Sequence, residues 1–153
     1  MFRQVLVHEE DRRYQRILWR RNNKIETLQL NTLTFGVSSS PFLAIRTVHK
    51  LAEDEHLAFP KAANIIKTHL YVDDLLTGAG TIHETREIRD EIIKLLARGG
   101  FTIRQWASND DRIINDLSSS VLHANFVLNR DTNLKTLGVV WDTREDKIFR
   151  APV

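Results

Sequence analysis

The sequence predicts an α+β fold with an antiparallel sheet, and three features carry that reading. Two β-type runs near the start, Tyr14 to Trp19 (YQRILW) and Ile25 to Leu33, flank RRNNK, and Asn22-Asn23 is hairpin-turn chemistry. Thr81-Ile82-His83-Glu84 is a capping box opening an apolar helical stripe of Ile88, Ile92, Leu95 and Leu96, closed by Gly99-Gly100. Strand-like runs return at the far end, Thr136 to Trp141 and Lys147 to Phe149, around DTRED.

The remaining elements follow in order. After the first hairpin, FGVSSSP breaks the pattern with Gly36 and a serine run; Ser40 then Pro41 reads as an N-cap and first helical position. Ile45, Val48, Leu51 and Ala52 supply the helical stripe. A second short helix starts near Pro60 and contains Ala63, Ile65 and Ile66. Thr68 to Thr77 reads as two short strands around a tight turn at Asp73-Asp74, ended by Gly78-Ala79-Gly80. Phe101 to Trp106 alternates like a strand, and residues 107–122 fit neither period. No internal repeat, low-complexity segment or Pro/Gly linker divides the chain, so residues 1–153 are expected to be one unit.

Composition bounds the function. A hydrophobic content of 42% suits one globular core, and the absence of Cys excludes disulfides and thiolate metal sites. No run approaches the roughly 18 apolar residues of a membrane span, so no membrane partner is expected. The net charge of +2 is uneven: residues 1–50 carry nine Lys/Arg against four Asp/Glu, residues 51–100 six against nine, and the rest balance. Arg12, Arg13, Arg16, Arg20, Arg21 and Lys24 could follow a phosphate backbone; the plain alternative is a solvated strand and turn.

The run THLYVDDLLTG sets two aspartates side by side between apolar arms. Neighbouring side chains on a strand diverge, but at a tight turn both can converge on one place. Two carboxylates held close repel unless a positive group sits between them, and a hard divalent cation such as Mg²⁺ takes oxygen ligands while keeping places for water and phosphate. The plain alternative is a turn that favours Asp for its geometry.

Tyr71-Val72-Asp73-Asp74 between apolar strands resembles the Y-x-D-D catalytic hairpin in the palm of reverse transcriptases. The surrounding motifs keep the same order. Phe35-Gly36-Val37-Ser38-Ser39-Ser40-Pro41-Phe42 resembles the palm's template-and-nucleotide segment, Gly99-Gly100-Phe101 the next palm motif, and Thr136-Leu137-Gly138-Val139-Val140-Trp141 the Leu-Gly hairpin that grips the primer. LNTLTFGVSSSPFLAIRT, YVDDLLTGA, GGFTIRQWASN and LGVVWD together are similar to the BEL/Pao group of long-terminal-repeat retrotransposons, across essentially the entire chain.

That resemblance implies a palm-like antiparallel sheet with packed helices, incomplete because fingers and thumb are largely absent. It implies an RNA-directed DNA polymerase that moves a nucleotide to a primer 3′-OH with two Mg²⁺ (or Mn²⁺) ions. Its partners would be an RNA or DNA template with a DNA primer, deoxynucleoside triphosphates and the rest of a polyprotein, in a cytoplasmic virus-like particle. Asp73 and Asp74 would be the catalytic metal ligands, Asp73 the more essential. Phe2 would block a nucleotide 2′-OH, with Phe35 and Gly36 also at the nucleotide. Tyr71, Val72, Ser40, Pro41, Leu137, Gly138, Val139, Val140 and Trp141 would contact primer or template.

The pattern also departs from the family's. Phe35 stands where many retroviral enzymes have Gln, and Arg104 is the cation nearest in sequence where a Lys near the triphosphate is common. The family's third carboxylate would lie a few residues before Met1, so the chain is expected to be an N-terminally truncated palm, inactive alone. A non-catalytic nucleic-acid-binding remnant is the alternative function, and a structural domain with an incidental Asp-Asp turn a weaker one.

Overall fold

The computed structural model describes residues 1–123, 133–136 and 138–150. The chain enters through a 3₁₀ turn at Phe2–Gln4, then lies antiparallel to residues 31–33: the Val7 N–H donates to the Asn31 carbonyl (2.9 Å) and the Leu33 N–H to the Val5 carbonyl (3.0 Å). A second 3₁₀ stretch, Glu9–Tyr14, leads to a ribbon of β1 (Arg16–Arg21) and β2 (Lys24–Gln29). Asn22 and Asn23 both sit at positive φ, +49° and +60°, as a type I′ turn requires. The expected hairpin is present, with its second strand ending at Gln29.

Three helices make the core: α1 (Ser40–Asp54), α2 (Pro60–His69) and α3 (Ile82–Arg98). The buried seam of α1 is Ser40, Ala44, Val48 and Ala52, one residue every four; Val48 and Ala52 of the expected stripe are in it, Leu51 packs half-buried against the core, and Ser40 and Ala44 take the inward place expected of Ile45. Ala62, Ala63, Ile65 and Ile66 of α2 and Ile88, Ile92, Leu95 and Leu96 of α3 complete it, with Phe2, Val5, Leu33 and Phe101 closing the ends. The Glu91 carboxylate accepts the Ala62 N–H (3.2 Å) and Lys61 pairs with Glu87 (2.9 Å), tying the first turn of α2 to α3.

The predicted caps on α3 are real. Thr81 Oγ1 accepts the Glu84 N–H at 3.2 Å. At the other end the Gly100 N–H donates to the Ala97 carbonyl and the Phe101 N–H to the Leu96 carbonyl, both 3.0 Å, with Gly100 at φ +75°: a Schellman motif. Ample space surrounds Gly100, so Gly100→Ala meets only backbone strain. That variant is expected to cost about 1–2 kcal/mol, read as a lower thermal midpoint.

Two expectations need correction. Helix α1 begins at Ser40 with Ser39 in the capping position; the Ser40 hydroxyl caps nothing and instead donates to the Thr34 carbonyl (2.7 Å), locking the loop before the helix onto its first turn. Residues 101–105 are not a paired strand. Phe101 and Ile103 point into the core and Thr102 and Arg104 outward, so the alternation reports burial, but among the described residues the first β-type pairing comes at Trp106, which bridges Leu122. The segment beyond folds through 3₁₀ turns at Asp111–Ile113 and Ser119–Val121.

Seven strands are described, in three separate antiparallel sheets: β1–β2, β3–β4 (Leu70–Tyr71 and Asp74–Leu75), and a meander of β5 (Asn133–Thr136), β6 (Val139–Asp142) and β7 (Lys147–Arg150). Helices and small antiparallel sheets together give the α+β class. The expected run Thr136 to Trp141 is not one strand, since Thr136 ends β5 and β6 starts at Val139; the closing hairpin is β6–β7, with Asp142 Oδ1 accepting from the Arg144 N–H (2.9 Å) in its turn. Gly138, at φ +76°, follows the end of β5, and Thr136 pairs with Val139. Leu137 lies outside the described residues.

Candidate active site

The hairpin that carries the aspartates grows straight out of a core helix. Helix α2 ends at His69, and Leu70 switches to extended backbone (φ −87°, ψ 125°) with no intervening loop. Leu70 pairs with Leu75 and Tyr71 with Asp74, leaving Val72-Asp73 as a two-residue turn. Leu70, Val72 and Leu75 pack against the core cluster, which explains the apolar arms, while Tyr71 is exposed. His69 Nδ1 and Thr77 Oγ1 share a 3.0 Å hydrogen bond across the neck of the hairpin.

Val72 sits at φ +56°, a left-handed conformation that a β-branched residue avoids and that costs on the order of 1–3 kcal/mol. Two-residue turns of this kind prefer glycine at that place. Packing of the Val72 side chain against the core offsets the strain and fixes the turn. The result is that Asp73, exposed, and Asp74, half-buried, both border one cleft of about 600 Å³. Among the described residues neither carboxylate takes part in a hydrogen bond or ion pair.

The rest of the lining includes distant segments. Arg104 and Trp106, from the unpaired stretch after α3, and Lys135, Thr136 and Trp141, from the terminal meander, border the same cleft. Trp141 is oriented by its indole N–H, which donates to Asp146 Oδ1 at 2.9 Å. Two carboxylates thus face a cleft that also holds two cationic side chains, and neither Arg104 nor Lys135 is spent on an ion pair among the described residues. Such a site can hold a hard cation on one wall and attract phosphate on the others.

Residues 1–106 match the model of a family described as reverse transcriptase (RNA-dependent DNA polymerase). The chain belongs to the reverse transcriptase family. Comparison with curated proteins and with solved structures finds no match. The matched span covers the aspartate hairpin and the helices that carry it; the terminal meander lies beyond it.

Of the residues the sequence picked out for a reverse transcriptase site, the cleft brings together Asp73, Asp74, Arg104 and Trp141. Phe2 is 7% exposed and belongs to the core, its ring 4.9 Å from that of Phe35, and neither borders the cleft. Gly36 has φ +81° with open space where a Cβ would be, so its need is the turn, not a close neighbour. Ser40 is buried at the α1 start and Pro41 is exposed beside it; Tyr71, Val72, Gly138, Val139 and Val140 also stand off the cleft lining. Lys135 was missed. Its one sequence signal is a cation two places before Leu137-Gly138, and only the meander's fold carries it to the cleft.

A reverse transcriptase implies divalent metal, and the donor set can be tested against that. Asp73 and Asp74 offer hard, unpaired oxygens at adjacent positions, which suits Mg²⁺ or Mn²⁺ completed by water and phosphate. Among the described residues no cluster of three or more acidic, His or Cys side chains could hold an ion. The residues therefore fit one weakly held cation, and a second needs another ligand. Among the described residues no helix is long and apolar enough to cross a membrane.

Proposed function

We propose that this chain is palm machinery of an RNA-directed DNA polymerase from a BEL/Pao-type long-terminal-repeat retrotransposon, adding deoxynucleotides to a primer 3′-OH on an RNA or DNA template. The three small sheets are read as parts of its palm, and the cytoplasmic particle of such an element as its setting. The observation that carries the reading is the pair of unpaired carboxylates at a strained, core-anchored turn, bordering one cleft with Arg104 and Lys135.

Asp73 and Asp74 hold the cation side. Bound Mg²⁺ or Mn²⁺ supplies charge neutralisation for the attacking and leaving oxygens of the phosphoryl transfer. Arg104 and Lys135 draw phosphates toward that wall, and Trp106 and Trp141 give flat apolar surface for sugar or base. Positioning supplies most of the rate in this chemistry, so a metal short of one ligand forfeits it.

Primer extension on an RNA template is the test, with Asp73→Asn as control. The 153-residue chain is expected to extend no primer above the control level, because among the described residues only two carboxylates border the cleft. Product that disappears in Asp73→Asn would keep the site and discard the missing-ligand argument; product that persists in Asp73→Asn would discard the site. A second reading, a non-catalytic nucleic-acid-binding module, is favoured by the lack of a third converging carboxylate among the described residues. Salt-dependent binding of an RNA–DNA hybrid without extension supports it.

A further inference from the structure

The β1–β2 ribbon stands off the helical core, and every residue of β1 is exposed. Its register sorts the side chains into two faces. One carries Trp19, Arg21, Lys24 and Glu26, and the 4.0 Å Arg21–Glu26 pair partly neutralises it. The other carries Arg16, Leu18, Arg20, Ile25, Thr27 and Gln29 and holds no carboxylate. On that second face neither arginine has a partner among the described residues, and Leu18 and Ile25 are 74% and 65% exposed between them.

We propose that this carboxylate-free face is a nucleic-acid site separate from the aspartate cleft, and that its ligand is single-stranded. The charge of the face fits a polyanion: Arg16 and Arg20, four residues apart on an extended strand, are about 13 Å from one another and reach successive stretches of one backbone. The exposed apolar side chains between them select for single strands, because the flat faces of bases are open to contact only when unstacked from a duplex. Thr27 and Gln29 add hydrogen-bonding groups with no preference for one base. At the foot of the ribbon Tyr14 is also exposed, with the Arg13 guanidinium 4.9 Å above its ring, a platform of the kind that bases stack on. The site does not depend on catalysis at Asp73 and Asp74, since it lies on other elements.

The test is fluorescence anisotropy of a labelled single-stranded RNA titrated with the whole chain over a series of salt concentrations. Wild type is expected to bind with a negative slope of log affinity against log salt. The R16Q/R20Q double variant should lose at least about tenfold in affinity and flatten the slope by roughly 1.4, about 0.7 for each phosphate contact removed. Glu26→Gln, on the opposite face, should bind no worse than wild type. Circular dichroism of each variant guards against misfolding, and all three positions lie on the ribbon outside the core. Unchanged affinity and slope in R16Q/R20Q overturns the proposal. So does a duplex of the same sequence competing as well as the single strand. A concentration-dependent dimer that Leu18→Lys dissociates, with no RNA binding by wild type, overturns it too, because a second copy of the chain then occupies the face.

Discussion

Manganese binding is expected to be lost when both hairpin aspartates become asparagine. The wild-type chain is expected to bind Mn²⁺ weakly and 1:1, seen as loss of the free-ion signal in electron paramagnetic resonance. Each single variant, Asp73→Asn or Asp74→Asn, should weaken that at least tenfold. The reasoning is local: no cation of the protein neutralises either carboxylate among the described residues, so a divalent ion is the available neutralising partner. Binding to the folded state alone also raises stability, by about 1.4 kcal/mol at a tenfold excess of Mn²⁺ over its Kd. The thermal midpoint should therefore climb with Mn²⁺ in wild type and stay flat in the double variant. A midpoint that climbs equally in both places the ion elsewhere.

The second large effect concerns Arg89, 4% exposed although it is charged. Its guanidinium donates to both Asp116 oxygens (2.5 and 2.9 Å) and to the Ile113 carbonyl, and pairs with Asp90 (2.6 Å). This one side chain fastens the irregular stretch carrying buried Ile113 and Ile114 onto α3. Arg89→Ala strands the Ile113 carbonyl and loosens that stretch. With Asp116 half-exposed and still held by Arg86 (2.8 Å), the cost is discounted to about 2 kcal/mol, a fall of roughly 4–8 °C in midpoint.

The same contact predicts an acid response. Hydrogen bonds from Arg89 first and Arg86 second hold the Asp116 carboxyl well below the usual carboxylate range. Its stabilising contribution is full above the ordinary carboxylate pKa near 4 and is lost as pH falls below that, since the unfolded state takes up the proton first. Wild-type midpoints should drop between about pH 4 and pH 2, and those of Arg89→Ala should drop less steeply.

Local chemistry was legible in the sequence because its causes are local. Thr81, Gly99-Gly100 and Asn22-Asn23 act on their own neighbours, and each does what its type favours. The Asp-Asp hairpin was legible for the same reason, its arms lying within one short run, although its turn is Val72-Asp73 rather than the expected Asp73-Asp74 and Asp74 belongs to the second strand. Features that depend on what comes to meet a segment were not. Residues 101–105 alternate in burial, yet among the described residues no strand pairs with them. Arg89 stands three and seven places before Ile92 and Leu96, so it shares their buried face of α3, but its partner Asp116 lies far along the chain. Lys135 reaches the cleft only through the meander, and the inward seam of α1 chose alanines because helices pack closest where side chains are small.

The junction between α2 and β3 has a further consequence. With Leu70 following His69 directly, the aspartates have no hinge of their own, and their position is that of a helix whose Ile66 is fully buried. Heredity at this site therefore acts on two levels. A change in the interior that tilts α2 moves both carboxylates together and preserves their spacing, whereas a change in the turn alters the spacing and leaves the frame intact.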